Sequence, residues 1–485
     1  MQTPIRLFWA LMLTFTYNAY SQPTAASYKK QAIADLQAKY PDYKKIAVQI
    51  WKYAEVGYKE YQSSALLQKT LKDNGFTVEA GVADIPTAFV ATFGSGKPVI
   101  GILAEFDALP GLSQDSVPSK VSLNAGAGHG CGHNLFGTAS TAAGIELKKL
   151  ITEKHLNGTI KVYGCPAEEG GSGKVYMVRA GLFNNVDVVL HWHPGDANRV
   201  TTGTSMANIS AKFRFYGIAA HAAAAPDKGR SALDAVEGMD FMVNMMREHV
   251  PSDTRIHYII TDGGKAPNVV PDFAESYYYV RNKDIELVRS IFDRVVKAGE
   301  GASMGTGTRM EYEITGGVYN LLINKTLAVD LQSNLEIAGG NKYTPAETEF
   351  AKKIQSSFTY KAAPIETAAA IEGYKDADDG DIGGSTDVSD VSWAVPTVGF
   401  DAATWVPGTS AHSWQATACG AMDIGVQGLM VAAKTLALTG IDLLTDNSLI
   451  EKAKAEFAAS KGPDFHYKAL LGDRKPALNY RDTKN

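Results

Sequence analysis

Between residues 25 and 73 the apolar positions recur at helical spacing: Ile46, Ile50 and Tyr53 share one stripe, and Leu66, Leu67, Thr70 and Leu71 another. Alternation of element types then begins. Residues 89–93 read as a strand, and residues 98–104, apolar throughout, as a strand covered on both faces. A small-residue helix over 138–150 follows a glycine-rich loop. After it come a strand at 159–165, a helix at 173–180 and a strand at 186–191. This order predicts an α/β fold with a doubly wound, mostly parallel sheet and helices on both faces. Ligand sites in such sheets lie beyond the carboxyl ends of the strands. Glu105, Asp107, Glu168, Glu169 and His193 all fall just after apolar runs.

The pattern changes after Gly203. Residues 207–216 alternate, with Asn208, Ser210, Lys212 and Arg214 on one side and Ile209, Ala211, Phe213 and Phe215 on the other. A helix at 231–248, strands at 257–261, 274–281 and 309–315, and a helix at 284–299 complete a β-α-β-β-α-β series. That series predicts an inserted α+β ferredoxin-like domain over 203–319. The doubly wound pattern resumes with a helix at 324–338, a strand at 396–400 and a long helix at 418–439. The tail from Ile441 reads as helical and charged, without chemistry. The catalytic domain is therefore expected in two parts, 22–202 and 320–485.

Composition is that of a globular chain: 485 residues, 45% hydrophobic and 20% charged, with a formal net charge of −5. No basic patch is present, which argues against a nucleic-acid partner. Arg6, the apolar residues 7–17 and Ala19-Tyr20-Ser21 have the layout of an export signal over 1–21, with the mature chain starting at Gln22. The expected location is periplasmic or secreted. No later apolar run reaches the roughly 18 residues of a membrane helix, so no span is expected after cleavage. Of the three cysteines, Cys165 and Cys419 are expected as small buried hydrophobes, not as a disulfide. Residues 376–381 form an acidic run expected to be a solvated turn.

Candidate chemistry concentrates in two segments. Gly128-His129-Gly130-Cys131-Gly132-His133-Asn134 places a thiol and an imidazole on a glycine-rich loop, and Pro166-Ala167-Glu168-Glu169-Gly170-Gly171 places two carboxylates after a strand. Thiolate, imidazole and carboxylate are the ligands of a transition-metal site, and a spare carboxylate can act as a base. On an extended segment the two glutamates would point to opposite sides, one toward metal and one toward substrate. Each element alone has a plainer reading: a buried thiol, a core histidine, a surface carboxylate pair. His193, in His191-Trp192-His193-Pro194, and His412, in a late loop, add ligand types on post-strand segments and shift the balance to a metal-dependent hydrolase.

Taken together, residues 101–111, 128–138, 165–174, 192–194, 268–272, 384–393 and 407–415 resemble the dinuclear-metal amidohydrolase family that includes aminoacylase-1, glutamate carboxypeptidases and auxin-conjugate hydrolases. The resemblance implies two divalent ions, zinc or manganese, held by Cys131, His133, Glu169, His193 and His412, with Cys131 bridging. It implies Glu168 as general base and Asp107 as the carboxylate that orients a ligand. It implies that His221 and Asn268, on the inserted domain, reach an active site across a homodimer to bind the scissile carbonyl or the substrate carboxylate. His129 and His191 fall outside the implied ligand set. The wider family carries His-x-Asp where this chain has Glu105-Phe106-Asp107; the branch with the bridging cysteine also lacks that histidine. The implied substrate is a small N-acyl or N-aroyl amino acid, p-aminobenzoyl-glutamate among them. Rival readings are a dipeptidase using the same centre, a catalytically silent metal-binding subunit, and a Cys-His nucleophilic hydrolase. The last leaves Glu169, His193 and His412 without a role.

Overall fold

The strand Val99–Glu105 is buried at every position, as its unbroken apolar run predicts, and it lies inside a six-stranded sheet. The computed structural model describes residues 24–376 and 384–482; the expected export signal and most of the acidic run lie outside the described residues. In spatial order the sheet comprises Thr77–Ala80, Phe89–Ser95, Gly158–Cys165, Val99–Glu105, Val188–Leu190 and Thr397–Val398. The last four strands run parallel to one another. Thr77–Ala80 and Phe89–Ser95 form an antiparallel edge, so the doubly wound sheet is mixed at one side. Thr77–Ala80 is largely exposed, which explains why no apolar period announced it.

His133–Lys154 crosses one face of this sheet, longer than the expected helix at both ends. Its small residues allow close approach: a Cβ on Gly144 would meet Val162 at 2.6 Å. Asp423–Thr445 packs beside it within the main core. At 23 residues this helix is long and apolar enough to cross a membrane, contrary to the sequence expectation. However, 89% of its most apolar window is buried inside the protein. Gly173–Arg179 and Val388–Ala394 belong to a second core cluster with Leu103, Tyr163 and Val189 of the sheet. The expected strand at 396–400 is divided at Gly399. Thr397–Val398 stays in the main sheet, and Phe400–Ala403 joins a small sheet with His193–Gly195 and Arg199–Val200.

Residues 207–318 form a four-stranded antiparallel sheet in the order Arg255–Asp262, Phe273–Asn282, Ala207–Tyr216, Arg309–Val318. Ile209, Ala211, Phe213 and Phe215 pack against the helices Ala232–Met246 and Ile285–Thr306 in a core of their own. On the opposite side Lys212 and Arg214 ion-pair with Glu275. Both chain crossings into this unit are tied to the Val388–Ala394 helix. Ser205 Oγ lies 2.8 Å from Ser389 Oγ, and the backbone N–H groups of Tyr319 and Leu322 donate to Asp390 and Ser392.

Candidate metal centre

The strand Gly158–Cys165 ends in a turn, not in the extended segment expected for Glu168 and Glu169. Ala167 has a positive φ of 56°, followed by Gly170 at 99° and Ser172 at 57°. Such conformations persist in non-glycine residues only where the surroundings hold them. Here Ala167 N–H donates to Glu60, a carboxylate buried behind the turn, at 2.8 Å.

Cys131 lies on the loop that enters His133–Lys154, and Gly132 supplies the left-handed residue at that entry, with φ 81°. A Cβ on Gly132 would meet Pro194 at 2.8 Å, so glycine allows this loop to close on the His193 strand. Cys131 Sγ then sits 3.4 Å from His193 Nε2. His193 Nδ1 lies 2.7 Å from the Pro194 carbonyl. A carbonyl only accepts, so Nδ1 carries the hydrogen and Nε2 turns its lone pair to the thiol.

His133 is oriented in the same manner by Asp107, at 2.9 Å from Nδ1. The other oxygen of Asp107 accepts the N–H of Glu169 at 2.9 Å. Asp107 thus fixes two members of the cluster at once, a wider task than the single ligand expected of it. Glu169 Oε1 lies 3.2 Å from His412 Nε2. His412 is itself left-handed, with φ 57°, and its N–H is anchored on the Gly130 carbonyl at 2.9 Å.

The result is two groups that share one sulfur. The donor atoms of Cys131, His133 and His193 lie within 4.8 Å of one another, and so do those of Cys131, Glu169 and His412. Glu105, His133 and Glu168 form a third such group. Glu105 Oε2, His133 Nε2 and Glu169 Oε1 are buried and meet their neighbours only in contacts of 3.1–3.2 Å, Glu105 with His133 and Glu169 with His412, so donor atoms converge where a cation would satisfy them together. The residues therefore fit divalent ions.

Burial opposes charge on His133, but Cys131, Asp107 and Glu105 outweigh it and hold the ring well above the usual imidazole range. Burial also works against ionised Asp107 and Glu169. In Asp107 it is overcome by His133; in Glu169 by the hydrogen bond to His412 and the nearby His133, so both carboxyls are lowered. Glu168 behaves oppositely: burial, then Glu105 and Glu169, push it well above the carboxylate range. Burial also raises the Cys131 thiol, a preference that a coordinated cation reverses.

His221 and Asn268 are placed elsewhere. Both are exposed on loops of the inserted unit, where Ala222 N–H donates to the Asn268 carbonyl at 3.0 Å. His221 Nδ1 accepts from the N–H groups of Ala223 and Ala224, and neither residue is hydrogen-bonded to the cluster. Two further residues, Lys174 and Asp387, support the site without having been assigned a role from sequence. Lys174 is fully buried, with Nζ 2.7 Å from both Glu105 and Asp387. Its signal was a lysine directly after a glycine-rich turn, before an apolar helix. His129 and His191 are buried outside the groups, and burial pushes each ring down to about 3. All three cysteines are buried and free.

The model of peptidase family M20/M25/M40 matches residues 101–437. The chain is 40% identical over 440 residues to one subunit of the p-aminobenzoyl-glutamate hydrolase of Escherichia coli, covering 85% of this chain and 91% of that protein. It is 29% identical to Xaa-Arg dipeptidase of Mus musculus, over 84% of this chain and 87% of the relative. Among solved structures, an aminobenzoyl-glutamate utilization protein from Klebsiella pneumoniae aligns with a TM-score of 0.59 at 19% identity, covering 85% and 98% of the two chains. A dinuclear metal binding M20 peptidase from Bacillus subtilis aligns with a TM-score of 0.57 at 17% identity, over 84% and 99%. The fold is shared with both, the donor cluster suits divalent metal, and the chain belongs to peptidase family M20/M25/M40 as a metal-dependent hydrolase of amide bonds.

Proposed function

We propose that the chain hydrolyses the amide of an N-acyl or N-aroyl amino acid, with p-aminobenzoyl-glutamate as the first candidate. The observation that carries this reading is the single sulfur of Cys131 shared by two donor groups, His133/His193 and Glu169/His412. Two divalent ions, zinc or manganese, would be held there, and when bound they supply Lewis-acid activation of water and carbonyl. Glu168, unclaimed by either of those groups, is the general base. It takes a proton from the attacking water as the C–O bond forms, and returns it to the amide nitrogen as the C–N bond breaks. His221 accepts two backbone N–H groups at Nδ1, so its Nε2 carries the hydrogen and is free to donate to a developing oxyanion. In one chain that donor is not hydrogen-bonded to the cluster. We therefore assign His221, with Asn268 as substrate-carboxylate contact, to the site of a second copy, in a homodimer formed through the inserted unit. Export through residues 1–21 belongs to the same reading, and the first residue of the secreted protein, Gln22, is its check.

The test is hydrolysis of p-aminobenzoyl-glutamate by the mature chain, stripped of metal and reloaded with zinc or manganese. Metal-restored turnover that disappears in Glu168→Gln supports the reading. Turnover by Glu168→Gln at the wild-type rate would sink the base assignment. The likeness to a dipeptidase favours a second substrate class, short peptides with a free α-amino group. Activity on these alone would replace the first.

A further inference from the structure

The matched family region stops at residue 437, yet the chain returns to the metal centre from outside it. After the helix Asn447–Lys461, residues 463–482 run as a strap over both units. Tyr467 donates to Asp390 at 2.6 Å, Leu470 enters the core of the inserted unit, and Leu471 enters the core beneath the Glu168 turn. Arg179 donates to the Gly472 carbonyl at 2.6 Å, and Arg474 donates to the Ile314 carbonyl. The strap ends on the candidate ligand loop. The Tyr480 hydroxyl donates to the Glu169 carbonyl at 3.2 Å, and the Arg481 guanidinium donates to the same oxygen. Tyr480 also sets its ring edge-on against Tyr58, whose hydroxyl holds the Gly171 carbonyl at 2.7 Å.

We propose that Tyr480 and Arg481 are positioning residues of the metal centre, and that the strap holds the Glu168–Glu169 turn in ligating geometry. The peptide groups of Glu169 are gripped from both sides. Its N–H is fixed by Asp107 from within, and both lone pairs of its carbonyl are filled by the strap from without. This grip is required because the turn carries left-handed Ala167 and Ser172, conformations the local sequence does not favour. Without the strap, Glu169 loses its fixed approach to His412, while Cys131, His133 and His193 keep their own anchors. The inference rests on the reading of Glu169 as a ligand.

The experiment compares the wild-type chain with a form ending at Asn479, with Tyr480→Phe/Arg481→Gln, with Arg481→Lys, and with Glu169→Gln as ligand control. Each is loaded with zinc, and ions per chain, zinc affinity, kcat and KM are measured. The first two variants are expected to retain the ion at Cys131/His133/His193 and to bind the second about 10–100-fold more weakly. Their kcat falls while KM stays within about threefold. Arg481→Lys, which still donates to the carbonyl, recovers most of the second ion. Should the shortened form fail to fold, the double point variant decides. Two ions bound with wild-type affinity in the strap variants, while Glu169→Gln loses one, would overturn the strap and leave the ligand reading standing. Two ions retained by Glu169→Gln would overturn the ligand reading itself.

Discussion

Lys174→Met tests the buried charge balance behind the cluster. The ammonium is fully buried, its two partners Glu105 and Asp387 are each 1% exposed, and both contacts are 2.7 Å long. At an effective dielectric near 20, each contact is worth about 6 kcal/mol of Coulomb attraction. Most of that offsets the cost of taking three charges out of water. Removing one partner is another matter, because it leaves carboxylates buried and uncompensated, and such changes cost about 3–5 kcal/mol. Burial alone would discharge Lys174, but Asp387 and Glu105 hold it well above the usual ammonium range, so the lysine keeps its charge. Methionine keeps the length of the side chain, which confines the loss to the charge. Because the entropy of unfolding grows with chain length, a protein of this size loses only about 1 °C of Tm per kcal/mol, and the expected drop is roughly 3–5 °C. Asp387→Asn alone should also destabilise, and the double variant should lose clearly less than the sum of the two, as coupled neighbours do. Urea and thermal midpoints of the four proteins, read with one probe, complete the cycle. A Lys174→Met chain within about 1 kcal/mol of wild type would refute the reasoning, since it would mean that the buried lysine carries no charge to be missed.

Other expectations follow from the same geometry. Glu168→Gln should retain wild-type metal content and lose turnover by at least about 100-fold; metal loss would mean that Glu168 is a ligand. If His221 serves the partner's site, mixed dimers of Glu168→Gln and His221→Ala should regain up to about a quarter of wild-type activity by subunit exchange, and no recovery would place His221 in its own chain's site. His191 is kept neutral by burial, with His193 and Lys174 adding to the effect, and its folded pKa is pushed down to about 3. Between pH 6.5 and 3 the unfolded chain therefore binds the extra proton, and stability falls as pH drops. The slope is about 1.4 kcal/mol per pH unit. From pH 7 to pH 5 the wild type should lose about 2 kcal/mol more than His191→Gln, and equal losses in urea titrations would exclude this histidine as the cause.

The donors with a short sequence signature were legible. Cys131 and His133 could be read because glycines surround them, and Asp107 because it follows an apolar strand; the structure brings all three to one cluster. The surroundings of Glu168 and Glu169 were not legible, because the turn depends on a left-handed Ala167, and alanine gives no sign of positive φ. Lys174 and Asp387 are 213 residues apart. Each alone is an ordinary polar residue, and only the fold turns the pair into a buried ion contact. The terminal strap was hidden for another reason. Its anchors are single residues such as Leu470, Leu471 and Tyr480, set among charges, with no period to detect. The antiparallel edge strand Thr77–Ala80 escaped for want of a buried face. Gly399, where the last sheet strand divides, has the His191 ring 2.1 Å from where a Cβ would stand, a contact no local pattern contains.

The same cluster links metal to stability. Cys131, Glu105, Asp107, Glu168 and Glu169 gather several potential negative charges in one buried region, and the chain sets against them Lys174 and His133. A folded chain that holds cations there, and an unfolded chain that holds them weakly, must be stabilised by them. At a free ion concentration near 100 times Kd, one site contributes about 2.7 kcal/mol, so if two ions are held as proposed, chelation should lower Tm by roughly 5 °C. The shared sulfur makes this prediction specific. Cys131→Ala removes a donor from both groups, so its Tm should barely respond to zinc or chelator, whereas His412→Ala should keep about half the response because the Cys131/His133/His193 group remains whole. A Cys131→Ala chain with the full wild-type response would show that the thiol bridges nothing, and the stabilising ions would then have to lie among the carboxylates of Glu105, Glu168 and Glu169.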